Sequence, residues 1–376
     1  MRWSPSEEQE ELRRVVRRFL EEKSAATEVR RLMETAEGYE PAAWKQLSQE
    51  LGLPGVHVPE AYGGQGLGFA ELAIVLEEMG RALLCAPYFS SVALAANAIL
   101  NAGSEAEKQA LLPGIAAGET VATLAIAEPN GRWDAAGIEL TAQRDGSGWR
   151  LDGEKSFVVD GAGAELVVVA ARTPGSSGRD GLGLFHLRGG ADGLERRPLV
   201  VMDPTRKLAR LSFRGARAES LGEVGAAAPA LERTLDQAAA LLANEMVGGA
   251  QKLVDMTVEY AKTRVQFGRP IGAFQAIKHK CADMLMALEL ARSSAWYAAA
   301  CADESQKELP SVASLAKAQC ADAYLEIAAE AIQIHGGLGF TWEQDVHLYF
   351  KRAKASEVLL GDPTYHRELF AQRIGL

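Results

Sequence analysis

The spacing of apolar residues changes twice along this chain, and these changes constrain the fold more than any other feature. Up to about residue 120 the period is helical, as in Glu8–Glu22, with Pro and Gly between the helical segments. From Thr120 short apolar runs alternate with Asp-Gly, Gly-Ser and Pro-Gly turns, which predicts an antiparallel sheet. From Ala228 the helical period returns and continues to the end. We therefore predict an α+β protein with three domains, 1–119, 120–222 and 223–376.

The last domain contains long segments with helical spacing, separated by Gly or Pro: Leu231–Thr263, Ala273–Glu304, Ser311–His335 and Trp342–Leu359. Long helices with short connections are typical of a four-helix bundle. The predicted architecture is thus an N-terminal helical domain, a middle antiparallel β-barrel-like domain and a C-terminal four-helix bundle.

The composition excludes several classes of protein. A net charge of −10 over 376 residues argues against general nucleic-acid binding, which requires a basic surface. No run approaches the ~20 apolar residues that span a bilayer. The first residues mix Glu with Arg and show no apolar signal core, so we expect a cytoplasmic protein. The cysteines lack CxxC spacing, so buried thiols are expected rather than a metal site or a disulfide framework: Cys85, Cys281, Cys301 and Cys320.

Two distant segments each join a helical stretch to a Gly-bearing turn with a few polar side chains. The segment Arg264–Ile271 reads RVQFGRPI, and Gln333–Phe340 reads QIHGGLGF. The guanidinium of Arg264 is planar and permanently charged, which suits a phosphate. The paired glycines of the second segment lack Cβ atoms, so their N–H groups can approach a pyrophosphate closely. Taken singly, Arg264 could equally be a surface charge and the glycines a helix C-cap.

Two further segments complete a pattern that covers nearly the whole chain. They are Gly55–Leu67, with the sequence GVHVPEAYGGQGL, and Ala127–Pro129 at the start of the sheet region. In order and spacing the segments resemble the signatures of the acyl-CoA dehydrogenase family. The resemblance implies that family's fold, an FAD cofactor and an acyl-CoA thioester substrate that loses a proton and a hydride from adjacent carbons. It also implies an electron-transfer flavoprotein as the electron acceptor.

The resemblance further implies which residues contact the flavin. In that family the Arg segment and the Gln-Gly-Gly segment meet a single FAD from two different subunits, so a homo-oligomer, either a dimer or a tetramer, is expected. The expected FAD-binding residues are Glu128, Phe157, Val158, Val159, Arg264, Gln266, Phe267, Gln275, Gln333, Ile334, Gly336 and Gly337.

The middle domain departs from the family pattern at two places. Family members place a Trp-Ile-Thr run against the flavin ring, whereas this chain has Phe157-Val158-Val159. Phe157 can still cover the ring, but Val159 has no hydroxyl to offer. The loop after Pro129 has Trp133 where the family usually has Ser. Backbone amides could still bind the flavin, so FAD binding is expected, with an altered flavin potential and pocket shape.

The carboxylate that removes the substrate α-proton is absent from both positions where the family carries it. The resemblance places that residue at Leu360 or, in a minority of members, at Ala238. Glu245 lies about two helical turns beyond Ala238 on nearly the same face. It has no partner three or four residues away and has small glycines beside it, so we predict it as the base. A half-solvated structural Glu is the alternative reading, and Glu357 and Asp362 are weaker candidates.

The Leu-Gly-Asp-Pro sequence at 360–363, followed by His366-Arg367, resembles a bacterial branch of the family. Members of that branch often act on bulky or unusual acyl thioesters, including steroid side chains and dicarboxylic acids, and some pair with a related subunit that supplies the base. Two hypotheses stay open: a complete dehydrogenase with Glu245 as base, and a flavin-binding subunit of a hetero-oligomer. Nitroalkane oxidation, which would want Asp at Leu360, and association with DNA are disfavoured. The acyl chain, and coenzyme A against an acyl carrier protein, also stay open.

Overall fold

The computed structural model describes residues 5–305 and 307–376. The chain forms two compact units, each assembled from separate segments. The helical unit takes the residues up to Arg31, Phe69–Leu84 and Ala239–Leu376, and the sheet unit takes Leu32–Gly68 and Cys85–Ala238.

The helices follow the predicted helical segments and add several short ones. In chain order they are α1 (Glu7–Lys23), α2 (Ala26–Met33), α3 (Pro41–Gln49), α4 (Phe69–Arg81), α5 (Asn97–Ala102), α6 (Glu105–Ala116), α7 (Ala228–Thr263), α8 (Gln275–Glu304), α9 (Leu309–His335), α10 (Val346–Val358) and α11 (Pro363–Arg373). A π-helix, Phe89–Ala96, directly precedes α5. The long helices predicted for the last domain are present as α7 to α10, so the helical architecture is confirmed.

The strands form one large sheet and one short hairpin. The sheet contains β1 (Ala122–Ala125), β2 (Thr141–Asp145), β3 (Gly148–Val159), β4 (Leu166–Arg172), β5 (Leu182–Arg188), β6 (Leu194–Pro198) and β7 (Leu208–Gly225), and the hairpin contains β8 (Val265–Gln266) and β9 (Arg269–Pro270). The pairings β4-β2-β3-β7-β5 continue back to β4, so these strands close into a ring. The predicted barrel-like domain is confirmed, although β1 pairs with β4 in parallel.

The interior of the sheet unit is filled by side chains that alternate along the strands. Leu151, Phe185 and Leu211 point inward and are fully buried. The register of β3 against β7 shifts between Lys155 and Val158. A register shift of this kind interrupts the alternation of inward-facing and outward-facing side chains at this point of β3.

The burial of the cysteines and the hydropathy of the helices can be compared with what the sequence predicted. Cys85, Cys301 and Cys320 are buried free thiols, and Cys281 is a half-buried one. In the described part of the chain, no helix is both long and apolar enough to cross a bilayer.

Candidate active site

Both positions where the family carries its base hold buried apolar side chains. Ala238, on α7, is fully buried, and Leu360, between α10 and α11, is 3% exposed. Leu360 has a left-handed backbone conformation with φ 63°, which is uncommon for a residue other than glycine. Neither side chain can accept a proton, so these two positions cannot supply the base.

Buried side chains hold the turn at Leu360 in this strained conformation. The ammonium of Lys317, on α9, donates to the backbone carbonyls of Glu357 and Gly361 at 3.0 and 2.9 Å. Nε2 of His366 lies 3.1 Å from the carbonyl oxygen of Leu360. Burial lowers the pKa of His366 to about 3, so the ring is neutral at physiological pH and donates this bond. These hydrogen bonds offset the backbone strain.

Asp362 and Glu357, the weaker candidates for the base, both have partners in the structure. Asp362 caps α11 by accepting from the N–H of Tyr365 at 2.7 Å. The carboxylate of Glu357 pairs with Lys354. Each carboxylate is thus already engaged by a partner three residues away in sequence. Neither residue therefore gains support from the geometry.

Lys317 is expected to make stability depend on pH. Burial lowers its pKa from 10.5 to about 7, whereas the unfolded chain keeps the ordinary value. Between about pH 7 and 10.5 the unfolded state therefore binds more protons, and stability should rise with pH across this window. Lys317→Met removes this titration. The difference in unfolding free energy, wild type minus variant, should increase from pH 7 to pH 10 in urea titrations. A difference that is independent of pH would contradict the assignment.

Glu245 is held in a buried ion pair with Arg352 on α10. Nη1 of Arg352 lies 2.8 Å from Oε1 of Glu245, and the two side chains are 4% and 5% exposed. The sequence predicted no ion pair with the residues three or four positions away on α7, and Arg352 is instead distant in sequence, where helical spacing cannot reveal it. The alternative, a half-solvated structural Glu, is wrong in its solvation, since the carboxylate is buried. Glu245 as the base stays a prediction.

The glycines near Glu245 serve helix packing. A Cβ on Gly248 would lie 1.7 Å from the backbone oxygen of Glu77 on α4, and a Cβ on Gly80 would lie 1.9 Å from the backbone oxygen of Glu245. The backbones of α4 and α7 are therefore in direct contact, which only glycine permits at these positions. The predicted room for a ligand beside Glu245 is not present at Gly248.

The Arg264 segment forms an exposed hairpin after the end of α7. Strands β8 and β9 pair across it, and the N–H of Ile271 donates to the carbonyl of Arg264 at 2.8 Å. Within the described residues the guanidinium of Arg264 has no hydrogen-bond or ion-pair partner, and the Phe267 ring is 91% exposed. The hairpin thus offers a cation and an aromatic ring to a ligand. Two further predicted flavin contacts are also exposed: Gln266 on this hairpin and Gln275 at the start of α8.

Helix α9 ends in an open glycine turn. Gly336 has φ 62°, and a Cβ on Gly336 or Gly337 would meet no atom within 4 Å. Gln333 is exposed, whereas the side chain of Ile334 is buried. A ligand would therefore meet the Gln333 side chain and the glycine amides rather than Ile334. With the free guanidinium of Arg264, these unobstructed donors fit the pyrophosphate and the adenine of FAD.

The carboxylate of Glu128 is used inside the sheet unit. Its Oε1 accepts from Lys155 Nζ at 2.7 Å and from the N–H of Leu140 at 2.9 Å, and its Oε2 accepts from the N–H of Glu139 at 2.9 Å. Glu128 therefore closes the 128–139 loop, and a flavin would meet its backbone rather than its carboxylate. Sequence reasoning missed Lys155, although a lone Lys within a strand-like segment was a signal.

Phe157 is the exposed aromatic residue that was predicted to lie against the flavin. It has φ 56°, and its ring is 45% exposed. A bulky residue in this conformation is an outlier of the kind that clusters at functional sites. Val158 and Val159 are buried, and the carbonyl of Val159 accepts from Thr123 Oγ1 at 2.6 Å. Phe157 can therefore offer its side chain to a flavin, and the two valines only their backbone.

Comparisons with known proteins agree along the whole chain. Models of the acyl-CoA dehydrogenase N-terminal, middle and C-terminal domains match residues 6–119, 123–215 and 228–375. The acyl-CoA dehydrogenase IpdE2 of Mycobacterium tuberculosis is 35% identical over 361 residues, which are 96% of this chain and 95% of that protein. A variant of the Tcur3481-Tcur3483 steroid ACAD has a TM-score of 0.89 and 32% identity, with 98% of each chain covered. The ChsE4-ChsE5 complex from Mycobacterium tuberculosis has a TM-score of 0.90 and 26% identity, with 100% of this chain and 99% of that chain covered.

Proposed function

Because this chain belongs to the acyl-CoA dehydrogenase family of FAD-dependent oxidoreductases, we propose that it is the flavin-binding subunit of a hetero-oligomeric acyl-CoA dehydrogenase. In this proposal a sister chain supplies the catalytic base. The observation that carries it is that Leu360 and Ala238 are buried and apolar, while Arg352 neutralises Glu245. The similarity to a chain of the ChsE4-ChsE5 complex supports an assembly of two related subunits.

The residues of this chain bind and orient the cofactor in the proposed reaction. FAD, when bound, supplies the acceptor for the substrate β-hydride. Arg264 would balance the negative charge of the pyrophosphate, and the amides of Gly336 and Gly337 would donate to it. Gln333 would offer both donors and acceptors to the adenosine. Phe157 would offer its ring to the flavin.

The proposed substrate is the coenzyme A thioester of a bulky acid, and the proposed electron acceptor is an electron-transfer flavoprotein. Support for the bulky acyl group comes from the similarity to a steroid ACAD and from the Leu-Gly-Asp-Pro sequence at 360–363. The assembly would be a dimer or a tetramer that contains both kinds of subunit.

A second candidate function is a self-sufficient dehydrogenase in which Glu245 removes the α-proton. Its support is that α7 carries Glu245 about two turns beyond Ala238, on nearly the same face. The contact with Arg352 would have to open before Glu245 could act, because the guanidinium engages Oε1 of the carboxylate at 2.8 Å.

The purified chain alone is expected to be yellow and to keep its flavin absorbance near ~450 nm when acyl-CoA thioesters are added without oxygen, because no base removes the α-proton. Co-purified with a related chain that carries the family Glu, the same flavin should bleach. Rapid bleaching of the chain alone would overturn the sister-chain proposal. A colourless protein that takes up no added FAD would overturn the flavin role itself.

If the chain alone does bleach, the variant Glu245→Gln decides between the remaining bases. It keeps the shape of the side chain and removes its charge. Flavin reduction slowed by ~100-fold or more would identify Glu245 as the base. The matched control is Glu259→Gln on the same helix, where the exposed carboxylate pairs with Lys262, and it should leave the rate of reduction unchanged.

A further inference from the structure

A buried arginine of the sheet unit binds the backbone of the 128–139 loop. Arg172 is the last residue of β4 and is 6% exposed. Its Nη2 donates to the backbone carbonyls of Ala135 and Gly178 at 2.8 and 2.9 Å, and its Nε donates to the carbonyl of Ile138. Because the guanidinium is planar and carries several donors, this one side chain ties the loop to the turn at Gly178.

Buried charges of both signs hold the 128–139 loop. Arg172 binds its carbonyls, whereas the carboxylate of Glu128 accepts from the N–H groups of Glu139 and Leu140, both at 2.9 Å. The only regular element within the loop is a short 3-10 turn, Ala135–Gly137, so few backbone hydrogen bonds of its own fix its shape. The conformation of the loop therefore depends on the two buried charged side chains.

The start of this loop lies beside Phe157, the exposed ring that was predicted to lie against the flavin. The N–H of Ser156 donates to the carbonyl of Ala127 at 2.8 Å, and Nζ of Lys155 lies 2.7 Å from Oε1 of Glu128. The residues just before Phe157 are thus bonded to the residues at the start of the loop. A flavin ring at Phe157 would therefore have the loop as a neighbour.

The positive charge of Arg172 is not balanced by a carboxylate. Among the described residues no carboxylate lies within ion-pair distance of its guanidinium, and its Nη1 is buried without a hydrogen-bond partner. The carboxylate of Glu128 is paired with Lys155 instead. Burial, together with the charge of Arg172, lowers the pKa of Lys155 to about 8, so the two buried cations are close enough to repel each other. Arg172 therefore adds an unbalanced positive charge next to the loop.

We propose that Arg172 is a positioning residue for the flavin, which fixes the 128–139 loop against the bound ring and whose unbalanced charge stabilises the reduced cofactor. The inference rests on the proposed flavin-binding function and on the contact that the family resemblance implies between this loop and the flavin. A loop that is already fixed has less conformational freedom to lose when the flavin binds, so affinity improves. A hydride adds negative charge to the flavin, and a nearby buried cation stabilises that charge because little water screens it.

The test measures three properties of the full chain: the Kd for FAD, the midpoint potential of the bound flavin and the Tm without FAD. Arg172→Met removes the charge and its hydrogen bonds, and it should raise the Kd about 10-fold and lower the midpoint potential. Arg172→Lys keeps the charge but lacks the planar set of donors, so it should raise the Kd and leave the potential close to that of wild type. A purely structural role would change the Tm and not the potential.

The matched control is Arg196→Met on β6 of the same unit. Arg196 is half-buried, and its Nη1 donates to the backbone carbonyl of Ala164 at 2.9 Å rather than to the loop. Equal changes of Kd and potential in Arg172→Met and Arg196→Met would overturn the inference. Equal FAD affinities of wild type and Arg172→Lys would also overturn it, even if Arg172→Met does not fold. If Arg264→Gln weakens FAD binding and the Arg172 variants do not, the inference fails and the flavin role stands. A wild-type chain that binds no FAD overturns both.

Discussion

Replacing Arg352 with methionine is expected to lower the free energy of unfolding by about 3–5 kcal/mol. The guanidinium of Arg352 faces the Glu245 carboxylate at 2.8 Å, and both side chains are buried. Without the guanidinium, the carboxylate would have to stay charged in a poorly hydrated interior or take up a proton, and both are costly. Methionine has a similar length, so the loss should come from the charge rather than from a cavity. Urea unfolding, followed by circular dichroism, measures the change.

Two control variants separate the ion pair from other causes. Glu245→Leu combined with Arg352→Met should recover most of the lost stability, because apolar side chains of similar volume replace buried ion pairs at little cost. Lys262→Gln breaks the exposed pair with Glu259 and should cost less than about 1 kcal/mol. A double variant as unstable as Arg352→Met alone would show that the buried carboxylate is not the reason for the loss.

The sequence predicts some elements of the fold and does not reveal others. Long helices such as α7 and α9 were predicted because their apolar period repeats over many turns. Strands β2 and β6 were missed because their side chains are mainly polar and partly exposed, so no apolar alternation marks them. Their pairing is decided by neighbouring strands, which the local pattern does not contain.

The residues of the candidate site also divide into those that the sequence predicted and those that only the fold reveals. The resemblance to the family implied Arg264 and the Gly336-Gly337 turn as flavin contacts, their own chemistry suits a pyrophosphate, and the structure leaves them exposed and unobstructed. The partners of Glu245 and Glu128 come from elements distant along the chain, and only the fold brings Arg352 and Lys155 to them. Buried ion pairs of this kind leave no periodic signal in a sequence.

Replacing Arg264 with glutamine is expected to weaken FAD binding by about 10- to 100-fold, because hydrogen bonds to a charged group contribute ~1.5–3 kcal/mol. The guanidinium is exposed and has no partner within the described residues, so its loss should leave the stability of the FAD-free chain unchanged. Equilibrium titration with FAD gives the affinity, and thermal unfolding of the FAD-free chain gives the stability. Equal affinities for wild type and variant would remove Arg264 from the proposed site.

Salt and a second variant distinguish a direct contact with the pyrophosphate from the general charge of the surface. Lys262→Gln removes one positive charge close to Arg264 in sequence, but that ammonium already pairs with Glu259, so FAD affinity should change by less than about 3-fold. Added salt screens exposed charges. It should therefore weaken FAD binding to wild type more than to Arg264→Gln. A direct contact depends on which cation is removed, whereas a general surface potential does not. If Arg264→Gln and Lys262→Gln lose FAD affinity equally, the surface potential and not a specific contact attracts the cofactor.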